Sequence, residues 1–364
     1  MVFKALFVLA VLVIGVVYGY VSTRLDIFPN RLLKQAYRTA KDLGQHWEND
    51  LGLVPTRQLT KSRHEGAGVT VASDRAQPGL TLMAGFFDGD LGARLIEADG
   101  AVVHRWIIKY TEIWPNRDYL RDAVPLTDWN VFLHGMVALP DGSIVFNFDA
   151  GESLVKMDRC GEVRWKLGHG IHHSVFLAED GTCWVPLGNN IAQISTRGET
   201  LRVINPTKVI RQSGLHGLFY IRDLKTALIH PNDVELLSEK DADAFPLFEA
   251  GDILYSMRDV NLVMVLDAET EAVKWYQHGP WLRQHDPDFL PDGTISIFNN
   301  RMGYGASNIM TIDPVTRETR IVYESDPPSE FYTGMRGKHQ YMENGNILIT
   351  QAQKGRVFEV TKDG

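Results

Sequence analysis

Cysteine is scarce: Cys160 and Cys183 are the two in 364 residues, and neither belongs to a CxxC pair. A thiolate zinc site and a disulfide-built scaffold are thereby excluded, which leaves two unpaired thiols, or one bridge in an oxidising compartment. Positive charge is in deficit as well. The 37 Lys and Arg are outnumbered by 45 Asp and Glu, for a formal net charge of -8. Such a chain lacks the basic face that displaces counterions from nucleic acid, so nucleic acid is excluded as a partner. With 44% hydrophobic and 23% charged residues, 32 Gly and 16 Pro, the composition is globular. Disordered, collagen-like and coiled-coil chains fall away, and the length allows one large domain or two ordinary ones.

One long apolar run stands out. From Ala5 to Thr23 no residue is charged, and that length crosses a bilayer at helical rise. A buried core helix would carry polar positions at intervals. A cleaved signal peptide is the competing reading, with Val17-Tyr18-Gly19 as its cutting region. The unbroken apolar length favours an uncleaved anchor over residues 1–23, with lipid bilayer as the partner of residues 5–23. Lys4 precedes the span, while Arg24, Arg31, Lys34, Arg38 and Lys41 follow it. Taken alone, that count keeps the large domain in the cytoplasm, but the rule weakens for long translocated domains. Residues 24–65 read as a helical stalk. Its 30–48 stretch is an amphipathic helix capped by Asn30, with Leu32, Leu33, Ala36, Tyr37 and Leu43 on one side. It serves as a stalk or, within residues 24–50, as a docking surface for a membrane-protein partner.

From Gly66 onward the pattern changes to short β-prone runs broken by Asp-Gly or Asn-Gly at 99–100, 141–142, 180–181, 292–293, 344–345 and 363–364. A valine-bearing run that closes on tryptophan recurs as GAVVHRW, GEVRW and EAVKW, ending at Trp106, Trp165 and Trp275. Five segments open on histidine: LHGMVALPDG, HHSVFLAEDG, IHPNDVELL, QHDPDFLPDG and KHQYMENG. The intervals between His134, His173, His230, His285 and His339 are 39, 57, 55 and 54 residues, the length of propeller blades of about four strands each. Adding the segment 68–106, with strands expected at 69–72, 80–85, 93–98 and 102–108, makes six. The expected fold is all-β: a six-bladed β-propeller over residues 66–364 behind one transmembrane helix and a short stalk. The last blade is short, so either the chain is truncated or a strand from near residues 54–72 closes the ring. The segments around 110–128 and 202–226 exceed hairpin loops and decorate one rim.

First strands line the channel of a propeller, so matched histidines converge at its mouth. The bland alternative is a histidine that merely bonds a neighbouring strand in each blade. Asn232, Asp233, Arg258, Gln284, Asp286, Asn299, Asn300 and Arg301 crowd the same positions. A histidine ring has two uses. Neutral imidazoles bind metal, with Asp233, Glu235 or Asp286 orienting them. Alternatively one imidazole is a nucleophile whose cationic neighbours stabilise developing charge. Arg258 tips the balance toward the second, since guanidinium cannot ligate metal but matches sulfate or phosphate oxygens. No metal and no cofactor are expected.

The segments PGLTLMAGFFDGDLGARLIEADGAVVHRW, HPNDVELL, GDILYSMRDVNLVMVLD, QHDPDFLPDGTISIFNN and GNILITQAQKGRVFEV resemble the arylsulfotransferase family, whose catalytic domain is a six-bladed propeller. The resemblance implies sulfuryl transfer from a phenolic sulfate donor to a phenol acceptor, without a nucleotide donor, through a sulfated histidine. By motif, His285 resembles the nucleophile, and His230 and Arg258 the groups that polarise the sulfuryl oxygens. A further family histidine matches His134 or His173, while Asn232, Asn300 and His339 are expected to bind substrate. Asn299 in FNN departs from the family's FDN, and no extra N-terminal β domain is evident. The family's usual location implies a propeller on the periplasmic or other extracytoplasmic side. Two other readings compete with the enzyme: a catalytically idle accessory subunit of a membrane complex, and a histidine-ligated iron oxygenase, against which the HPND and QHDP motifs count.

Overall fold

A computed structural model describes residues 2–25, 27–55, 59–62, 65–120, 125–218 and 229–363. The chain divides into two compact units, Met1–Val54 and Pro55–Gly364. In the first, α1 (Val2–Leu25) has a mean hydropathy of 2.5 in its most apolar window and no buried residue there. It is long and apolar enough to cross a membrane, a property that an anchor shares with a signal sequence. The second helix, α2 (Asn30–Asp50), follows the expected amphipathic stretch, with Leu32, Leu33, Ala36 and Tyr37 exposed; the side chain of Leu43 lies outside the described residues. The cap differs from expectation: Pro29 holds the N-cap position and Asn30 begins the helix.

The second unit is a six-bladed propeller. Blade 1 is β1 (Thr81–Phe87), β2 (Asp90–Ile96) and β3 (Val102–Ile107); blade 2 is β4 (Leu133–Ala138), β5 (Ile144–Phe148), β6 (Ser153–Met157) and β7 (Val163–Leu167). Between them comes α3 (Tyr110–Ile113). Blade 3 is β8 (Phe176–Leu177), β9 (Cys183–Leu187), β10 (Asn190–Ile194) and β11 (Thr200–Ile204), followed by α4 (Pro206–Gln212). Blade 4 is β12 (Pro231–Leu236), β13 (Ile253–Met257), β14 (Leu262–Leu266) and β15 (Val273–His278). Blade 5 is β16 (His285–Phe289), β17 (Ile295–Asn299), β18 (Asn308–Ile312) and β19 (Thr319–Tyr323); blade 6 is β20 (Lys338–Tyr341), β21 (Ile347–Gln351) and β22 (Arg356–Val360). Every pairing is antiparallel.

The turn chemistry explains the regularity. At Gly100, Gly142, Gly181, Gly293 and Gly345 the glycine of the expected turn has φ between 79° and 89°. The preceding side chain accepts the N–H two residues on, as Asp141 does from Ser143 at 2.8 Å and Asn344 from Asn346 at 3.0 Å. Gly364 lies outside the described residues. The recurrent tryptophans tie blades 1, 2 and 4 to their successors. The indole N–H of Trp106, Trp165 and Trp275 donates to the backbone carbonyl of Asp158, Thr196 and Pro314 of the next blade, each at 3.0 Å. Apolar clusters fill the spaces between successive sheets from blade 1 to blade 6.

Trp106 on β3 marks that strand as the outermost of its blade, so among the described residues blade 1 lacks an innermost strand and blade 6 an outermost one. The expected strand at 69–72 does not form. The ring is joined there by side chains and loop backbone instead: Thr60 N–H donates to Gln353 O at 2.8 Å, Gln77 N–H to Glu359 Oε1 at 2.8 Å, and Asn346 Nδ2 to Arg75 O at 2.8 Å. Of the rim segments, residues 121–124 and 219–228 lie outside the described residues.

Candidate active site

Four of the five expected histidines meet. The ring centres of His134 and His173 are 4.5 Å apart, those of His173 and His230 4.7 Å, and His285 lies 6.2 Å from both His134 and His173. The inner strands bring them together through local irregularity. Their registers shift at Leu133/Met136, Pro231/Asp233 and His285/Asp288, and bulges of this kind re-aim side chains. His173 and His230 themselves adopt φ of 61° and 52°. Gly135 permits blades 2 and 3 to approach, because a Cβ there would lie 2.4 Å from His173 O.

His339 is not in this cluster. Its Nδ1 faces Asp286 Oδ2 at 3.1 Å and its Nε2 faces Ser296 Oγ at 2.8 Å, so both ring nitrogens are engaged elsewhere in the channel. There it meets Asp286 and Asp288, which are electrostatically coupled to Asp233, Glu235 and Lys338. Lys338 pairs with Asp286 and, against the upward push of burial, holds that carboxyl below the usual range. Burial lifts Asp233 to about 7 and Glu235 and Asp288 well above their ordinary values.

Hydrogen bonds fix the imidazole tautomers. Asn300 is fully buried and donates Nδ2 to Thr333 O at 2.9 Å and Arg336 O at 2.6 Å. Its Oδ1 therefore accepts, and it sits 2.7 Å from His285 Nδ1. The proton of His285 is on Nδ1, and Nε2 keeps its lone pair, facing the backbone N–H of Arg336 at 3.2 Å. A second chain is fixed from Gly188, whose carbonyl accepts from His172 Nε2 at 3.0 Å. His172 Nδ1 then accepts from His173 Nδ1 at 2.7 Å, and His173 Nε2 accepts from His230 Nε2 at 3.0 Å. Asp149 flanks His134 Nδ1 at 3.4 Å and His173 Nδ1 at 3.5 Å. Arg258 follows β13 as Asp149 follows β5 and Asn300 follows β17; its Nε donates to Asp259 Oδ1 at 3.0 Å.

Burial governs the charges. It pushes His285 down to about 3, aided by His134 and Arg258, and His230 down to about 4, aided by Arg258. His134 and His173 are lowered by burial too. Asp149, which burial alone would raise, is held well below the usual carboxylate range by His173 and His134. The resting imidazoles of His134, His173, His230 and His285 are thus neutral, and the nearby cations are arginines. Nitrogens of His134, His173 and His285 lie within 4.8 Å of one another, as do ligand atoms of Asp149, His172 and His173, and of Asp286, Asp288 and His339. The first set fits a metal poorly, since the lone pair of His285 takes an N–H and Arg258 and Arg336 oppose a further cation.

Sequence reading missed Asp149, His172, Arg336 and Phe132. Asp149 had a signal, its place just after an inner-neighbour strand, shared with Arg258 and Asn300. Asn232 does line the channel: with His134, Asp233, His285 and Lys338 it borders a cavity of about 10 Å³, room for roughly one water. Asn299, the family departure, accepts from Leu282 N–H at 2.9 Å and donates to Asn308 at 3.0 Å, a framework role away from the imidazole.

The family model described as arylsulfotransferase (ASST) matches residues 212–364, which hold blades 4 to 6 with His230, Arg258 and His285. No curated protein matches the chain in sequence. Among solved structures, a streptogramin B lyase is 11% identical with a TM-score of 0.42, over 64% of this chain and 66% of that one. A Bacteroides caccae protein of unknown function is 13% identical with a TM-score of 0.49, over 79% and 92%. Kuenenia stuttgartiensis hydrazine synthase is 13% identical with a TM-score of 0.49, over 82% and 81%. Likenesses of that strength carry no argument about function. The match spans the last three blades, and over them the chain is similar to the arylsulfotransferase family.

Proposed function

We propose that this propeller moves a sulfuryl group from one phenol to another by way of His285. The observation that carries the reading is the 2.7 Å contact from His285 Nδ1 to Asn300 Oδ1, which leaves Nε2 as a neutral nucleophile inside the histidine cluster. In the first half-reaction that lone pair attacks sulfur, the N–S bond forms and the S–O bond to the aryl group breaks. The departing oxygen keeps the electron pair. A phenolate of pKa near 10 is a poor leaving group unless protonated, and the His230–His173–His172 chain is placed to supply the proton. Binding the anionic ester favours the protonated state of that chain, since opposite charge stabilises it. In the second half-reaction the chain takes the proton of the acceptor phenol, its oxygen attacks sulfur, and the N–S pair returns to Nε2. His134 and Arg258 complete the polar wall around the oxygens.

The test is incubation of the full chain in detergent with 4-nitrophenyl sulfate and phenol, followed by intact-mass and peptide mapping. Nitrophenol release with a sulfuryl adduct on His285, both lost in His285→Ala, is expected. Neither signal in well-folded protein would transfer the reading to an idle accessory subunit, docked through the exposed face of α2. The same reading places α1 as the anchor and the propeller outside the cytoplasm.

A further inference from the structure

Arg336 lies between β19 and β20 and belongs to none of the motifs that carry the family resemblance. Its residue is 8% exposed and has φ of 60°, a left-handed conformation that arginine adopts only under constraint. Both flanking peptide groups supply the constraint. The N–H points at His285 Nε2 at 3.2 Å, and the carbonyl accepts from Asn300 Nδ2 at 2.6 Å. The next residue, Gly337, has φ of 107°, and a Cβ on it would meet the Phe298 ring at 2.5 Å, so the loop is held tightly.

The side chain is what lacks a hydrogen-bonded counterpart, although the Asp149 carboxylate acts on it electrostatically. Its guanidinium carbon sits 3.5 Å over the centre of the Phe132 ring, and Nη2 is buried with no hydrogen-bond partner among the described residues. Burial lowers its pKa to about 10, so it stays charged at neutrality. Arg258 is different, because Asp259 already pairs with it and with Arg283. A buried guanidinium with an empty donor is costly unless an anion completes it, and its fork fits a tetrahedral oxyanion.

We propose that Arg336 is a catalytic residue that binds the oxygens of the transferring sulfuryl group, and that its peptide N–H covers His285 Nε2 until that group arrives. The site rests on the transfer reading only for the identity of the anion. On binding, the N–H···Nε2 contact gives way: the lone pair turns to sulfur and the N–H donates to a sulfuryl oxygen. Nothing else changes hands in this step.

The experiment measures inorganic sulfate affinity by calorimetry on the full chain in detergent, for wild type, Arg336→Ala and Arg336→Lys, beside single-turnover nitrophenol release. Loss of charge-assisted hydrogen bonds predicts sulfate binding weakened roughly ten- to hundredfold in Arg336→Ala. Arg336→Lys recovers part of the binding but little of the turnover, and added guanidinium ion restores turnover to Arg336→Ala. Should the alanine variant unfold, the lysine variant and the rescue of an Arg336→Gln variant decide. Sulfate affinity unchanged in a folded variant, or no sulfate binding by wild type, overturns the proposal. Sulfate binding that depends on Arg336 in a protein without transfer activity keeps the anion site and fails the transferase reading. Full transfer by Arg336→Ala does the reverse.

Discussion

His285 Nδ1 and Asn300 Oδ1 are 2.7 Å apart, and the other end of the Asn300 amide is spent on the carbonyls of Thr333 and Arg336. One buried asparagine thus links the inner strand of blade 5 to the loop entering blade 6 and sets which nitrogen of His285 keeps its lone pair. Asp149 makes the matching contact to His134 and, as a carboxylate, partly offsets the effect of burial there, whereas the neutral Asn300 brings no counter-charge to His285.

Asn300→Ala should release the tautomer of His285 and orphan two buried carbonyls. The expected result is a fall in kcat of roughly ten- to hundredfold with KM little changed, and a stability loss of about 1–3 kcal/mol. Burst kinetics and thermal melts check both; an unaltered kcat would detach Asn300 from the nucleophile.

Arg258→Lys keeps the charge but removes the fork and the Nε bond to Asp259. Turnover should drop by about tenfold or more, read from steady-state rates with 4-nitrophenyl sulfate. Wild-type rates would take Arg258 out of the site.

With its pKa pushed down to about 3, His285 stays neutral far into acid. The sign is that a lowered imidazole pKa extends the nucleophilic form toward low pH. Nitrophenol release in the first turnover should therefore hold between pH 7 and pH 5, where an ordinary imidazole would lose about thirtyfold. A decline centred near pH 6.5 would contradict the buried, neutral nucleophile.

Gly135→Ala would set a methyl group against the backbone of His173, Ser174 and Val175, at 2.4 to 2.6 Å. Blades 2 and 3 must then part, with an expected cost of about 1–3 kcal/mol and reduced transfer as His134 and His173 separate. Calorimetry on the variant measures the first, burst amplitude the second; unchanged values for both would show that the two blades yield freely.

Removing residues 1–25 should turn a protein that sediments with membranes into a soluble one, since α1 carries the apolar span. Continued sedimentation would point to α2 or to a membrane-bound partner, and ultracentrifugation of cell fractions distinguishes the cases.

The number of blades was legible in the sequence because tight turns demand particular chemistry. Asp-Gly and Asn-Gly supply both the positive φ and the side-chain acceptor, and the tryptophan strands repeat because each must reach the next blade. The apolar helix and the cluster of His134, His173, His230 and His285 were legible for similar reasons of length and phase. His339 illustrates the limit. His134, His173 and His285 each precede the Asp of their turn by seven residues, but His339 precedes Asn344 by five, so it lies on the same face roughly 7 Å further along the strand. Gly337 holds the seven-residue place in blade 6, and no side chain enters the cluster from it. Arg336 could not be foreseen at all. Its importance comes from a left-handed backbone, from Phe132 in blade 2 and from Asn300 in blade 5, groups brought together only when the ring closes. Local turns and periodicity write the blades into the chain, whereas the protonation state and the anion-binding donor arise from burial among parts distant in sequence.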